Sequence, residues 1–105
     1  MPDPDRRTRL VFSLLRALLG RVPAGLRQVR YVVAADAVTV TFTFAAPPTA
    51  DEAEELSCGH TECLTDFIDV CPVEFVSRVV PPPADPGDDG EWFFRRFEPP
   101  AANSP

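Results

Sequence analysis

Val38-Thr39-Val40-Thr41-Phe42-Thr43-Phe44 alternates apolar and threonine positions without a break. Side chains on a strand point to opposite faces in turn, so Val38, Val40, Phe42 and Phe44 share one face and Thr39, Thr41 and Thr43 the other. β-Branched and aromatic residues suit such a pleated surface. The apolar face demands a covering layer, and the threonine face reads as wet or turned to a partner. The preceding stretch, Leu26 to Ala35, alternates the same way, with Val29, Tyr31 and Val33 opposite Gln28 and Arg30. Ala35-Asp36-Ala37 between them is short enough for a hairpin.

Outward from this hairpin the period changes. Arg6 to Arg21 reads as a helix with an apolar stripe of Val11, Leu14, Leu15 and Leu18, ended by Gly20 and Pro23. Pro47-Pro48 stops the second strand, and Thr49 to Val70 reads as a second helix. Thr49 with Glu52 three residues on forms a capping box, and the early acids favour the positive end of the helix dipole. Ala53, Leu56, His60, Cys63, Leu64 and Phe67 follow helical spacing and should face the sheet. Pro72 closes the element; Val73 to Val80 and Glu91 to Glu98 read as further strands, separated by a proline- and aspartate-rich loop.

The expected fold class is therefore α+β, in the order α-β-β-α-β-β. A four-stranded, mainly antiparallel sheet would carry two helices on one face, as a two-layer α/β sandwich. Residues 6–98 form the expected single domain, with residues 1–5 and 99–105 as disordered tails. The second sheet face should be open and carry Gln28, Arg30, Thr39, Thr41, Thr43, Arg78, Phe93 and Arg95. If Trp92 and Phe94 face the helices, Phe93 and Phe97 fall on that open face beside Arg95.

All ten basic residues are arginine, and the net charge is −6. Residues 1–30 hold seven arginines against Asp3 and Asp5, whereas residues 31–105 hold three against fourteen acids. Such a surface steers a basic partner and repels nucleic acid. The longest apolar run, Leu10 to Leu19, is broken by Ser13 and Arg16, well short of the roughly 20 residues of a membrane span. Arg16 also spoils a signal peptide, and three cysteines cannot all pair within one chain, so a cytoplasmic setting is expected.

The charge is most concentrated on the second helix. Glu55, Glu62, Asp66 and Asp69 recur at seven-, four- and three-residue spacings on one side, and Asp51 begins the stripe a turn earlier. No lysine or arginine pairs this stripe along the helix, and Asp85, Asp88 and Asp89 add an acidic loop. The stripe, with Asp88 and Asp89, is the expected partner-binding surface; Phe93 and Arg95 are added because aromatic and arginine residues anchor interfaces.

Chemistry is harder to find. Cys58, His60 and Cys63 invite a metal reading, with Cys71 as a fourth ligand. Within a helix, however, positions 58 and 60 point to nearly opposite sides, unlike the knuckle spacing of zinc sites. A Cys63–His60 nucleophile pair would need a lowered thiol pKa, and the surrounding carboxylates act the other way. Cys63 reads instead as a small buried hydrophobe and His60 as a hydrogen-bonded residue at the core edge. No catalytic set, metal or cofactor is expected.

Several stretches together resemble a family. They are Leu14-Leu15-Arg16-Ala17-Leu18-Leu19-Gly20, Val22-Pro23-Ala24-Gly25-Leu26-Arg27-Gln28-Val29, Val40-Thr41-Phe42-Thr43-Phe44, Asp66-Phe67 in the acidic helix, and Gly90-Glu91-Trp92-Phe93-Phe94-Arg95-Arg96-Phe97-Glu98. The chain resembles small bacterial immunity proteins encoded beside polymorphic toxins, including contact-dependent inhibition and Rhs-like systems. The resemblance implies a non-enzymatic protein that binds one cognate toxin domain and blocks it. A basic toxin acting on nucleic acid or nucleotide would suit the acidic surface. The alternative is a self-associating structural or adaptor module joined through the open sheet face, as a homodimer.

Overall fold

A computed structural model describes residues 4–18, 20, 22–67, 71–87 and 90–96. The elements are α1 (Pro4–Leu18), β1 (Leu26–Val33), β2 (Val38–Phe44), α2 (Ala50–Asp66), β3 (Val73–Val79) and β4 (Glu91–Arg95). The expected α-β-β-α-β-β order holds. β2 has the expected limits, and α2 starts where the capping box requires: Thr49 Oγ1 accepts from Glu52 N–H, and Glu52 Oε1 accepts from Thr49 N–H. Two ends differ. α1 begins at Pro4, two residues before the expected Arg6; a proline is tolerated in a first turn because its missing N–H had no helical partner. α2 stops at Asp66 with Phe67 as its C-cap, short of the expected Val70.

The strands form one open, mixed sheet in the order β3-β2-β1-β4. β1 pairs antiparallel with β2 and with β4, while β2 and β3 run parallel. A parallel pair requires a crossover, and α2 supplies it.

One face of the sheet carries the core. Val29 and Tyr31 of β1 and Val38, Val40, Phe42 and Phe44 of β2 join Leu10, Leu14, Ala17 and Leu18 of α1 and Leu56, Cys63 and Phe67 at α2. Fully burying each large apolar side chain contributes about 1.5–3 kcal/mol. α1 is turned from its expected setting: Leu10, Ser13 and Ala17 are buried, whereas Leu15 is 53% exposed. The reason is the second helix. Gly59 of α2 lies against Ala17, where an added Cβ would sit 3.5 Å from the Ala17 Cβ, so the helices meet along their small residues. Ala53 and Leu64, expected to face the sheet, are exposed.

The opposite face is only partly open, with Thr39 and Thr41 half-buried and Val32 exposed. β3 and β4 lie on opposite edges, and the described part of the segment between them, residues 80–87 and Gly90, lies over the sheet. Three strand spacings are about 15 Å, well within reach of that segment. The crossing buries Gln28, Arg30 and Thr43. Arg27, at an irregularity between Leu26 and Gln28, is buried as well and donates to the Val80 and Ala84 carbonyls at 2.7 and 2.9 Å. Gln28 Nε2 donates to Gly87 O at 3.3 Å, and Arg30 donates to Gly90 O. The acceptors are all backbone carbonyls of the segment, and arginine brings donors alone, so the two complement each other.

Candidate functional site

α2 carries Asp51, Glu52, Glu54, Glu55, Glu62 and Asp66 and no lysine or arginine. Its acids do unlike jobs. Glu52 closes the capping box. Asp51, Glu54 and Glu55 are exposed, and Glu62 is half-buried. Asp66 is engaged internally: its Oδ2 accepts from the buried Ser13 hydroxyl at 2.6 Å and is ion-paired with Arg16. The Ser13 bond first, then Arg16, hold the Asp66 carboxyl below its ordinary range. The stripe is therefore not a uniform row of unpaired charge. Spacing within one helix could not reveal this, because the partners come from α1. Asp69, Asp88 and Asp89 lie outside the described residues.

Cys63 is buried beneath this cluster, its Sγ 3.2 Å from Ser13 Oγ. A hydroxyl has one proton and the carboxylate takes it, so the thiol donates to Ser13 Oγ. Burial pushes the Cys63 thiol up, away from the thiolate a nucleophile needs. His60 turns the other way. Its Nε2–H donates to Val73 O at 2.7 Å, and its ring stacks on Phe75 with centroids 4.6 Å apart. Cys58 is exposed. The helix thus points Cys58, His60 and Cys63 in different directions. Among the described residues no group of three or more His, Cys, Asp or Glu side chains is placed to hold a metal ion.

On the far side of the sheet, the crossing segment leaves a cleft of about 350 Å³ lined by Arg27, Gln28, Asp85, Pro86, Trp92, Arg95 and neighbours. Trp92 is its aromatic wall. The Arg30 guanidinium lies 3.7 Å from the indole centroid and that of Arg95 5.1 Å. Stacked arginine is attracted to the negative face of the indole. Trp92 does not face the helices as expected, and Phe93 does not lie open on the far face. Val29 pairs with Phe94 and Arg30 with Trp92, leaving Phe93 as an extra residue in the ladder. That irregularity lets Phe93 and Phe94 both pack against the core. Arg95 is exposed, as expected.

Gln28, Arg30 and Thr43 leave the list of surface candidates, because the crossing segment covers them. Arg78 stays exposed but is bound at both sides, Nε donating 2.9 Å to Thr43 Oγ1 and a terminal nitrogen to Pro86 O. Trp92, 44% exposed, and Phe12, 66% exposed on α1, are contact candidates missed in the sequence. Phe12 was legible in principle, since it falls between the buried positions Leu10 and Leu14. Trp92 was not, because a ladder irregularity leaves no mark in an alternating aromatic run.

No described helix is long and apolar enough to cross a membrane. No curated protein matches the chain. Residues 7–98 match the family described as MafI2 immunity protein, which supports the immunity-type resemblance but not its association with contact-dependent inhibition or Rhs-like systems. The match runs from α1 through β4, and on that ground the chain belongs to the MafI2 immunity protein family.

Proposed function

We propose that this protein binds a cognate toxin domain and neutralises it without chemistry, by covering its active site with the acidic face of α2. The observation that carries the reading is the family membership of residues 7–98 together with a helix whose charges are all of one sign. Glu55 and Glu62 head the contact surface, with Asp51 and Glu54 beside them. Asp69, Asp88 and Asp89 extend the negative charge in sequence. Asp66 fastens α2 to α1 and so holds the surface rigid. Arg95, beside Trp92, supplies a second contact region. Phe93 supports that region from the core side.

An acidic surface suits a basic toxin, of the kind that acts on nucleic acid or nucleotide. Opposite potentials speed encounter and discriminate against wrong partners. Such an inhibitor belongs in the compartment where its toxin acts, which for a nucleic acid target is the cytoplasm. The alternative adaptor reading, in which two copies join through the open sheet face, keeps Thr39, Thr41 and Arg95 as its contact residues, whereas Gln28, Arg30 and Thr43 are covered.

The test is co-expression with the toxin domain encoded beside this gene, followed by co-purification. Rescue of growth and one-to-one co-elution are expected. Glu55→Arg/Glu62→Arg should slow association at least tenfold at low salt and erode protection. Failure of the wild type to bind or rescue overturns the reading. Normal binding by the charge-reversed variant moves the interface off α2.

A further inference from the structure

β3 is an edge strand of the sheet, and among the described residues no strand pairs with its outer side. Natural edges are usually shortened, bulged or blocked with proline or lysine. β3 is neither shortened nor bulged and holds no proline or lysine; its charges are one of each sign, Glu74 and Arg78, in the run Val73-Glu74-Phe75-Val76-Ser77-Arg78-Val79, in register with β2 throughout. Val76 and Val79 are 38% and 41% exposed.

The backbone polarity of this edge can be read from its two ends. Pro72 O accepts from Val38 N–H, and Val80 N–H donates to Phe44 O, so the even-numbered residues turn their peptide groups inward to β2. Val73, Phe75, Ser77 and Val79 turn theirs outward. The Val73 carbonyl is taken by His60, and among the described residues nothing pairs with the outward peptide groups of Phe75 and Ser77, the central pair.

We infer that the outer edge of β3 pairs with β3 of a second copy, antiparallel and centred on Val76. In that register Phe75 lies opposite Ser77 of the other copy, and both present outward N–H and C=O groups, as a hydrogen-bonded antiparallel pair requires. Val76 meets its own counterpart. Glu74 lies opposite Arg78 at both ends of the contact, in the close, non-hydrogen-bonded positions where side chains of adjacent strands interact. A shift of the centre to Phe75 or Ser77 keeps the backbone pairing but separates these charges. The strand is thus self-complementary in one register. This surface is distinct from the acidic face of α2, so dimerisation and toxin binding stand or fall separately.

The experiment is light scattering and sedimentation of the full chain, alone, from micromolar to about a hundred micromolar. A concentration-dependent dimer is expected. Ser77→Pro removes an outward N–H and leaves the β2 ladder whole, the position at which an edge strand tolerates proline; it should abolish the dimer. Glu74→Arg sets like charges against each other at both ends and should raise the dimer dissociation constant at least tenfold. Arg95→Glu, on the far edge, should leave it unchanged. A wild-type monomer across the whole range overturns the inference, as does a dimer that survives Glu74→Arg or a folded Ser77→Pro.

Discussion

Asp66→Ala should destabilise the protein by about 2 kcal/mol, and the loss should vanish in acid. Asp66 Oδ2 takes the proton of Ser13, which is 3% exposed. A hydrogen bond to a charged partner contributes about 1.5–3 kcal/mol, and the lower half applies because Ser13 keeps its contact with Cys63. The Arg16 pair adds about 0.5 kcal/mol, since its guanidinium side chain is 64% exposed and screened by solvent. Against these, a carboxylate in the last turn of α2 opposes the helix dipole by about 0.5 kcal/mol. A net loss near 2 kcal/mol lowers Tm by about 8–10 °C for a chain of this size. The sign with pH follows from the depressed carboxyl. Its contribution is complete above the ordinary value of 3.8 and is lost as pH falls through the lower folded value. Urea melts of wild type and variant should therefore stay separated by a constant gap from about pH 5 to 8, and converge below it. In a double-mutant cycle with Ser13→Ala the coupling should reach about 1 kcal/mol. A gap unchanged in acid, or zero coupling, would refute the assignment. Normal stability with lost toxin affinity would return Asp66 to the interface.

Gly59→Ala should stabilise the protein by up to about 1 kcal/mol in urea melts, because the helix gains propensity and the new Cβ meets Ala17 at ordinary contact distance. Gly90→Ala should cost about 2 kcal/mol or more, since its φ of +82° is left-handed and a Cβ would fall 2.7 Å from Tyr31 O; a stable variant would place the turn elsewhere. In thiol titration of the native protein, Cys58 should react quickly and Cys63 only on unfolding; fast labelling of Cys63 would refute its burial.

The elements themselves were legible because each carries a local signal. The threonine alternation of β2 and the Thr49–Glu52 capping box need no distant partner to form. His60 and Cys63 also met their sequence reading, one hydrogen-bonded at the core edge and one buried. The failures share a cause. Leu15 was placed in the core and Asp66 on a free surface because the position of α1 against α2 depends on Gly59 meeting Ala17, a contact between residues 42 positions apart in the chain.

Period and charge are properties of neighbouring residues, so an α+β chain with one strongly acidic helix and an apolar sheet face could be read directly from the residues. Strand order was decided by the tertiary structure alone. Alternation says which side a residue faces, never which strand lies beside it. With β3 and β4 at opposite edges, the proline-rich segment had to cross the sheet. That crossing buried Gln28, Arg30 and Thr43 on the expected wet face beneath backbone carbonyls, with Trp92 at the rim.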